Sequence, residues 1–468
     1  MTSAFFRSYT GQISLCTLIA SLILIPALFL QQLPLAIIAL VMLSLIFLLF
    51  SNPFYALLAY VMLIPFEELA VFASLGTPTR LAGILFFASY LFHRRFQINL
   101  RAMPLVAWFW MLWVTASLLW SPILKWDFYF QGVQLFIATL LIADYLSRFP
   151  EKLGAILNGY TASSVIIALF GVYNFFIYAG TAEKFSAESR VSGIEGQGVE
   201  TFAFSLIPAF LTALHRVIKP KYKRWQWLNI SLMLLFAIGM ILSGTRGAWM
   251  ATLGAILFVY VPRLKLRQYL IISIIIALGI MLALRTPLVA DFINYRAGDA
   301  ISSGGTGRVA IWQVSWQMYL EHPILGIGWR MAEYSMKLQD FEKSRADITW
   351  NFDNGRFRPR VTHNIYLQTL LELGIIGFAL YMIWTISLII TPLQNDPQLR
   401  DDWLIALAIF ISMLVGGLTN PEFHKKYYWL ALALPQGLRY YWLLHQSKTY
   451  KLILDPLALA NLQEKSYP

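Results

Sequence analysis

Arg360-Val-Thr-His-Asn-Ile-Tyr-Leu-Gln-Thr-Leu-Leu-Glu-Leu-Gly-Ile-Ile-Gly-Phe378 carries a basic loop into an apolar run that continues to about residue 391. A run of this length exceeds the roughly 20 residues that an α-helix needs to cross a hydrocarbon layer. The stretch therefore predicts a membrane helix entered from a positively charged loop. His363 stands at the junction, just after Arg356, Arg358 and Arg360. An imidazole in that position can be reached by water, by lipid headgroups and by an anionic ligand.

The rest of the chain fits this reading. Of 468 residues, 58% are hydrophobic and only 13% charged. Soluble domains are nearer half apolar and a quarter charged, so lipid as well as a buried core must cover apolar side chains. The net charge of +12 does not indicate nucleic acid, because the Lys and Arg residues fall in short clusters between apolar runs, where they orient a membrane protein. Cys16 is the single cysteine, which excludes an intramolecular disulfide. The six histidines are scattered, with no His-x-x-x-His pair and no compact carboxylate set, so no metal site and no cofactor are expected.

Apolar runs fall at roughly 12–30, 33–50, 54–73, 80–93, 103–121, 128–146, 154–178, 201–217, 228–243, 246–261, 268–285, 365–391, 403–418 and 427–445. They predict an all-α polytopic membrane protein with about 12–14 transmembrane helices. The first run lacks a small-x-small cleavage site and reads as a helix, not a leader. Alternation along the runs puts His93-Arg-Arg95, Lys219-Pro-Lys-Tyr-Lys-Arg224, Arg263-Leu-Lys-Leu-Arg267 and Lys448 to Lys451 on one side. By the positive-inside rule that side is the cytoplasm. The polar segment of about residues 286–362 is then external, with an amphipathic piece from Val309 to Leu320. The expected organisation is an N-terminal membrane region (1–184), a catalytic membrane region (185–445) and a cytoplasmic tail (446–468).

Glu67, Glu68, Asp144, Asn158 and Glu372 lie inside or at the ends of apolar runs. Charged groups at membrane depth cost at least about 2.5–3.5 kcal/mol and so face a cavity, water or a partner. Three further residues share the external face: Arg246 in Leu242-Ser-Gly-Thr-Arg-Gly-Ala-Trp249, Arg308 in Gly304-Gly-Thr-Gly-Arg-Val-Ala-Ile-Trp312, and His363. Arginine offers a rigid fork of donors that matches phosphate oxygens. Histidine exchanges a proton near neutral pH. The positive end of a helix starting at Thr362 and the nearby arginines would both disfavour the imidazolium. Two guanidiniums beside a neutral imidazole can hold a diphosphate leaving group and activate a nucleophile.

The segment His363-Asn-Ile-Tyr-Leu-Gln-Thr-Leu-Leu-Glu-Leu-Gly-Ile-Ile-Gly-Phe378 resembles the signature helix of the bacterial O-antigen ligase and polymerase family. Gly307-Arg308, Ile311-Trp312 and Glu321-His-Pro-Ile-Leu-Gly-Ile-Gly-Trp329 resemble the upstream half of that domain, and Leu242 to Trp249 its Ser-x-Arg-Gly turn. The likeness spans about residues 185–420. It implies a metal-independent, inverting glycosyltransferase of the bacterial inner membrane, related in architecture to the GT-C type, with its active site facing the periplasm. The donor would be an undecaprenyl-diphosphate-linked glycan. The acceptor would be a sugar of the lipid A core in a ligase, or a second lipid-linked glycan in a polymerase. Position by position, His363 would be the base and Arg246, Arg308 and Arg190 would hold the diphosphate, with Arg360, Asn364, Tyr366 and Glu372 in support. Membrane lipids are expected partners and nucleic acid is not. One departure stands out: Arg190-Val-Ser-Gly-Ile-Glu-Gly-Gln-Gly198 lies where relatives carry an Asn-Pro-Asn element, and Glu195 and Gln197 do not match it.

A solute transporter is the rival from another class. It would show charged or broken helices at the bilayer midplane and often an internal repeat. Here the suggestive residues cluster at one face and no repeat is evident, which favours an enzyme.

Overall fold

The computed structural model describes residues 33–69, 77–179, 191–194, 197–263, 281, 308–332, 362–391, 399–420 and 422–454. Among these, every regular element is helical. In chain order they are α1 (Leu33–Ser51), α2 (Pro53–Leu63), α3 (Pro78–His93), α4 (Leu105–Ala116), α5 (Trp126–Arg148), α6 (Leu153–Ala179), α7 (Val199–Ile218), α8 (Gln226–Ser243), α9 (Arg246–Ala255), α10 (Arg308–Glu321), α11 (Ile365–Ile389), α12 (Arg400–Gly416) and α13 (Lys426–Leu454). The chain is thus an all-α polytopic membrane protein.

Among the described residues, five helices are long and apolar enough to cross a membrane: Trp126–Arg148, Pro150–Ile177, Val199–Ile218, Lys223–Ser243 and Ile365–Ile389, with a sixth if the bent pair Leu43–Ser51 and Pro53–Phe66 makes one span. Several of the fourteen apolar runs are not among them, for reasons that differ from run to run. The runs at 12–30 and 268–285 lie outside the described residues. The run at 246–261 folds as the ten-residue α9 followed by a π-helical turn, Ile256–Tyr260. The run at 103–121 becomes α4 and a short 3-10 turn. α12 starts on Arg400, Asp401 and Asp402, and in α13 polar residues interrupt the apolar pattern.

The chain divides into two compact units, residues 1–60 with 80–97, and residues 61–79 with 98–468. In the first, Tyr60 stacks on Phe86 with ring centres 6.5 Å apart, and Ser89 Oγ donates to the Phe50 carbonyl at 2.9 Å. In the second, α13 packs on α5, α7 on α8, α9 on α12 and α4 on α11. Its centre is aromatic. The buried Trp110 of α4 lies 5.8 Å from Trp329, 5.8 Å from Phe423 and 5.9 Å from Trp384, and Tyr381 shares a hydroxyl hydrogen bond with Tyr428. Apolar side chains on the opposite faces stay exposed, among them Leu169, Phe170 and Tyr173 of α6 and Ile383 and Ile386 of α11. Such faces suit lipid.

Several polar residues of the apolar runs have partners. Glu67 accepts from Lys426 Nζ at 2.8 Å and from the Lys426 backbone N–H at 2.9 Å. Glu68 pairs with Lys425. Asp144 is fully buried and bridges to Arg148 at 3.0 Å. Asn158 accepts a hydrogen bond from Arg216.

α11 is interrupted at Gly374, whose φ of 64° and ψ of −171° are open only to glycine. A regular helix would bond each N–H to the carbonyl four residues back. Here the Ile375 N–H donates to the Pro323 carbonyl at 2.9 Å instead. The freed carbonyls of Leu371 and Glu372 accept from the N–H groups of Ile327 and Gly328 at 3.0 and 2.9 Å. Trp113 Nε1 serves the Leu373 carbonyl at 2.9 Å. The segment Pro323 to Gly328 is therefore laced into the break by its backbone. A Cβ on Gly374 would lie 2.1 Å from the Ile324 carbonyl oxygen, and one on Gly326 would lie 2.4 Å from that of Glu372.

Gly374→Ala is expected to lower stability by about 3 kcal/mol, since it forces an alanine into a glycine-only conformation against backbone. Gly154→Ala, where nothing lies within 4 Å of the added carbon, should leave stability unchanged or slightly raised. Thermal unfolding of the detergent-solubilised protein checks the pair.

Candidate functional site

Four helix N-termini meet around one place. α8 ends on the left-handed Gly244, and the turn through Thr245 starts α9 with Arg246 as its first residue. Gly247 is required next, because a Cβ there would meet Thr419 Oγ1 at 2.2 Å. The end of α12 is thereby pressed against the first turn of α9. The same end reaches α11: the Gly417 carbonyl accepts from the Ile365 N–H at 2.7 Å, and the Leu414 carbonyl from the Tyr366 hydroxyl at 2.6 Å.

α11 begins at Ile365, three residues later than the sequence suggested, with Asn364 as its cap. The Asn364 side chain accepts from the N–H groups of Tyr366 and Leu367, both at 3.0 Å. A cap of this kind contributes about 1 kcal/mol. His363 immediately precedes it with φ of 50°, a left-handed conformation that few non-glycine residues adopt. Its neighbours hold it there. Thr362 is buried, its hydroxyl donates to the Asn364 carbonyl at 2.9 Å, and its carbonyl accepts from Trp312 Nε1 at 2.9 Å. Backbone strain of this type costs on the order of 1–3 kcal/mol and persists only where the surroundings impose it.

Trp312 lies one turn along α10 from Arg308, the first residue of that helix. Arg308 Nη2 contacts Glu200 Oε1 at 3.3 Å, and Glu200 sits in the first turn of α7. Burial lowers the affinity of the Arg308 guanidinium for its proton, the Glu200 carboxylate offsets this, and the Arg246 guanidinium adds to it. Arginine stays charged regardless. The structure thus brings Arg246 and Arg308 into one neighbourhood and ties the His363 turn to the same helix as Arg308. Among the described residues, no group of three His, Cys, Asp or Glu side chains gathers in a metal-sized set.

The remaining sequence-predicted residues divide. Arg190 and Arg360 lie outside the described residues, as do Arg356, Arg358 and most of the 286–362 segment. Asn364 and Tyr366 line an apolar groove of about 540 Å³ with Trp312, Trp316, Leu367 and Phe378. Glu372 does not join them. It is fully buried seven residues into α11, roughly 10 Å from the helix start at 1.5 Å per residue. There its Oε1 accepts from Gln368 Nε2 at 2.9 Å and from the Ala332 N–H at 3.3 Å. It braces the break in α11. Gln197, one of the two departures, is buried and donates to the Pro65 carbonyl at 2.9 Å.

Two features escaped the sequence reading. Glu200 borders an apolar run and was not distinguished from other run-end acids; its place at the entrance of α7 was the available signal. Arg330 is buried with φ of 60°, its guanidinium 4.7 Å from the centre of the Phe128 ring, and no local pattern marks it.

Glu68 ties this region to the rest of the bundle. α7 starts on Gly198, which has no side chain to cap it. Glu68 supplies the acceptor, taking the Gly198 N–H at 2.6 Å and the Thr201 hydroxyl at 3.0 Å while pairing with Lys425. Burial raises the pKa of this carboxyl, but Lys425 and the hydrogen bonds outweigh burial and hold it below the usual 4.5. A depressed carboxyl stabilises the fold above its unfolded pKa and loses that contribution as pH falls through the folded value. Glu68→Gln should therefore cost about 2 kcal/mol at pH 7, with the gap from the unmodified protein closing as the pH falls below 4.5. Unfolding midpoints measured from pH 7 to pH 3.5 check it.

Residues 231–382 match a family model described as O-antigen ligase. The matched segment runs from α8 into α11 and contains Arg246, Arg308 and His363, while Glu68, Glu200 and Lys425 lie outside it. No curated protein matches the chain. Over residues 231–382, from α8 into α11, this multi-pass membrane protein is thus similar to the O-antigen ligase family.

Proposed function

We propose that the protein is a glycosyltransferase that moves a glycan from undecaprenyl diphosphate to a sugar of the lipid A core, at the periplasmic face of the bacterial inner membrane. The observation that carries this reading is that Arg308, on a helix hydrogen-bonded to the His363 turn, stands close enough to a second guanidinium, Arg246, to be acted on by its charge. Helix N-termini add partial positive charge on the same side, so the place suits an anion of high charge. The apolar groove beside it has the lining that a polyprenyl chain needs.

In the proposed reaction His363 accepts the proton of an acceptor hydroxyl. The hydroxyl oxygen attacks the anomeric carbon of the donor glycan from the face opposite the diphosphate, and a new glycosidic bond forms as the bond to the diphosphate oxygen breaks. Configuration inverts. Undecaprenyl diphosphate leaves with the electron pair, and its added charge is met by Arg246 and Arg308. These cations fill the role that a divalent metal serves in other transferases, which makes the reading metal-independent. Preorganised charge of this kind typically contributes 10²–10³ in rate per donor, at order of magnitude, and the base about 10²–10⁴.

His363→Ala should lower glycan transfer by about a hundredfold or more, with the protein still inserted and folded. Arg246→Lys keeps the charge but loses the fork and should lower transfer by about tenfold or more. The assay combines purified protein, undecaprenyl-diphosphate glycan and either lipid A core or a second lipid-linked unit. Product on the core alone supports the ligase, and product on the second unit alone makes the enzyme a polymerase. Undiminished product from the His363 variant would remove the base from the mechanism.

A further inference from the structure

Glu200 is the acidic residue in contact with Arg308, and that contact is thin. One Nη2 and one Oε1 lie 3.3 Å apart, and the side chains are 27% and 29% exposed. A guanidinium can hold a carboxylate by two parallel bonds at about 2.7–2.9 Å, so this pair uses one arm, at long range. Pairs exposed to this degree are worth about 0–1 kcal/mol. The charges are also unequal. One carboxylate faces Arg308, and Arg246 stands near enough to act on it without a carboxylate within ion-pair distance among the described residues. A neighbouring carboxylate shows what a fixed one looks like: Glu68 holds Lys425, the Gly198 N–H and the Thr201 hydroxyl together. That anchor secures the start of α7 independently of Glu200, so the Glu200 side chain can turn away from Arg308 without loosening the helix that carries it.

We propose that Glu200 is an exchangeable counter-ion, which occupies Arg308 in the ligand-free protein, yields it to the diphosphate of a lipid-linked ligand, and returns to compete with the diphosphate left after transfer. The inference rests on the reading of Arg246 and Arg308 as the anion-binding pair. Its consequence is a trade: Glu200 weakens ligand binding and speeds product release. Removing its charge relieves the competition on both sides of the reaction.

The test uses the full chain in detergent or nanodiscs with farnesyl diphosphate, a short isoprenyl diphosphate, as the probe. Glu200→Gln keeps the shape and removes the charge, and it should bind farnesyl diphosphate about tenfold more tightly than the unmodified protein. In glycan transfer the same variant should show a lower KM together with a lower kcat. A merely supporting carboxylate would give the reverse, because Arg308 would be less well held once it was gone. Unchanged or weaker farnesyl diphosphate binding by Glu200→Gln therefore overturns the counter-ion. Should that variant not fold, Glu200→Asp retains the charge but shortens its reach, and binding tightened about two- to threefold supports the proposal where unchanged binding overturns it. Arg246→Ala and Arg308→Ala separate the two levels of the argument. If each loses farnesyl diphosphate affinity by about tenfold while Glu200→Gln is unchanged, the counter-ion alone fails. If neither loses affinity, the anion-binding pair fails and the counter-ion with it.

Discussion

The bond pattern at Gly374 is the constraint on which the site depends. Buried backbone groups must be paired, and each one left open costs about 1–3 kcal/mol. A helix broken at mid-length frees several of them at once. Here they are met from the segment Pro323 to Gly328 and from Trp113, so the break can close only when that segment is in register. The segment follows α10 directly, while the first half of α11 follows the His363 turn. Lacing one into the other fixes α10 against α11, and the contacts of Ile311, Val314 and Met318 with Leu371 and Ala332 fill the space between. Arg308 and Trp312 thereby acquire a set position relative to His363.

What that frame assembles is mostly helix beginnings. Arg246 opens α9, Arg308 opens α10, His363 precedes the cap of α11, and Glu200 lies in the first turn of α7. Each N-terminus carries partial positive charge on its unpaired N–H groups. Two arginines add full positive charges there, and Glu200 contacts one of them. Side chains at helix starts also project from rigid elements, which holds them more closely than a loop would.

Much of this was legible in the sequence, for identifiable reasons. The apolar run after His363 predicted α11, and the glycine-flanked Arg246 predicted a tight turn between two helices. Both are local patterns. The glycines at 326, 328 and 374 were visible as motif letters, but their purpose was not, because it lies in backbone contacts across some fifty residues of chain. Glu372 illustrates the same limit: an acid in an apolar helix reads as a candidate for chemistry, and only the Ala332 N–H and Gln368 contacts show it bracing a fold. Asn364 was grouped with the site and also caps the helix. Hydropathy marks an apolar stretch without saying where its helix breaks, as at the π turn after α9.

The break also bears on the choice between enzyme and transporter. Transporters bind ions and substrates at interrupted helices because unwinding exposes carbonyl oxygens to a cavity near the midplane. α11 is interrupted in that manner, and by the criterion of a broken helix alone it would count for the rival. Its carbonyls, however, are occupied. Leu371, Glu372 and Leu373 accept from Ile327, Gly328 and Trp113, and the carboxylate of Glu372 is engaged by Gln368 and Ala332. Each of those three carbonyls already meets a donor of the protein, and moving the segment would leave those donors unpaired. The interruption here is closed by the protein's own hydrogen bonds, and Arg246, Arg308 and His363 stand at or just before helix starts.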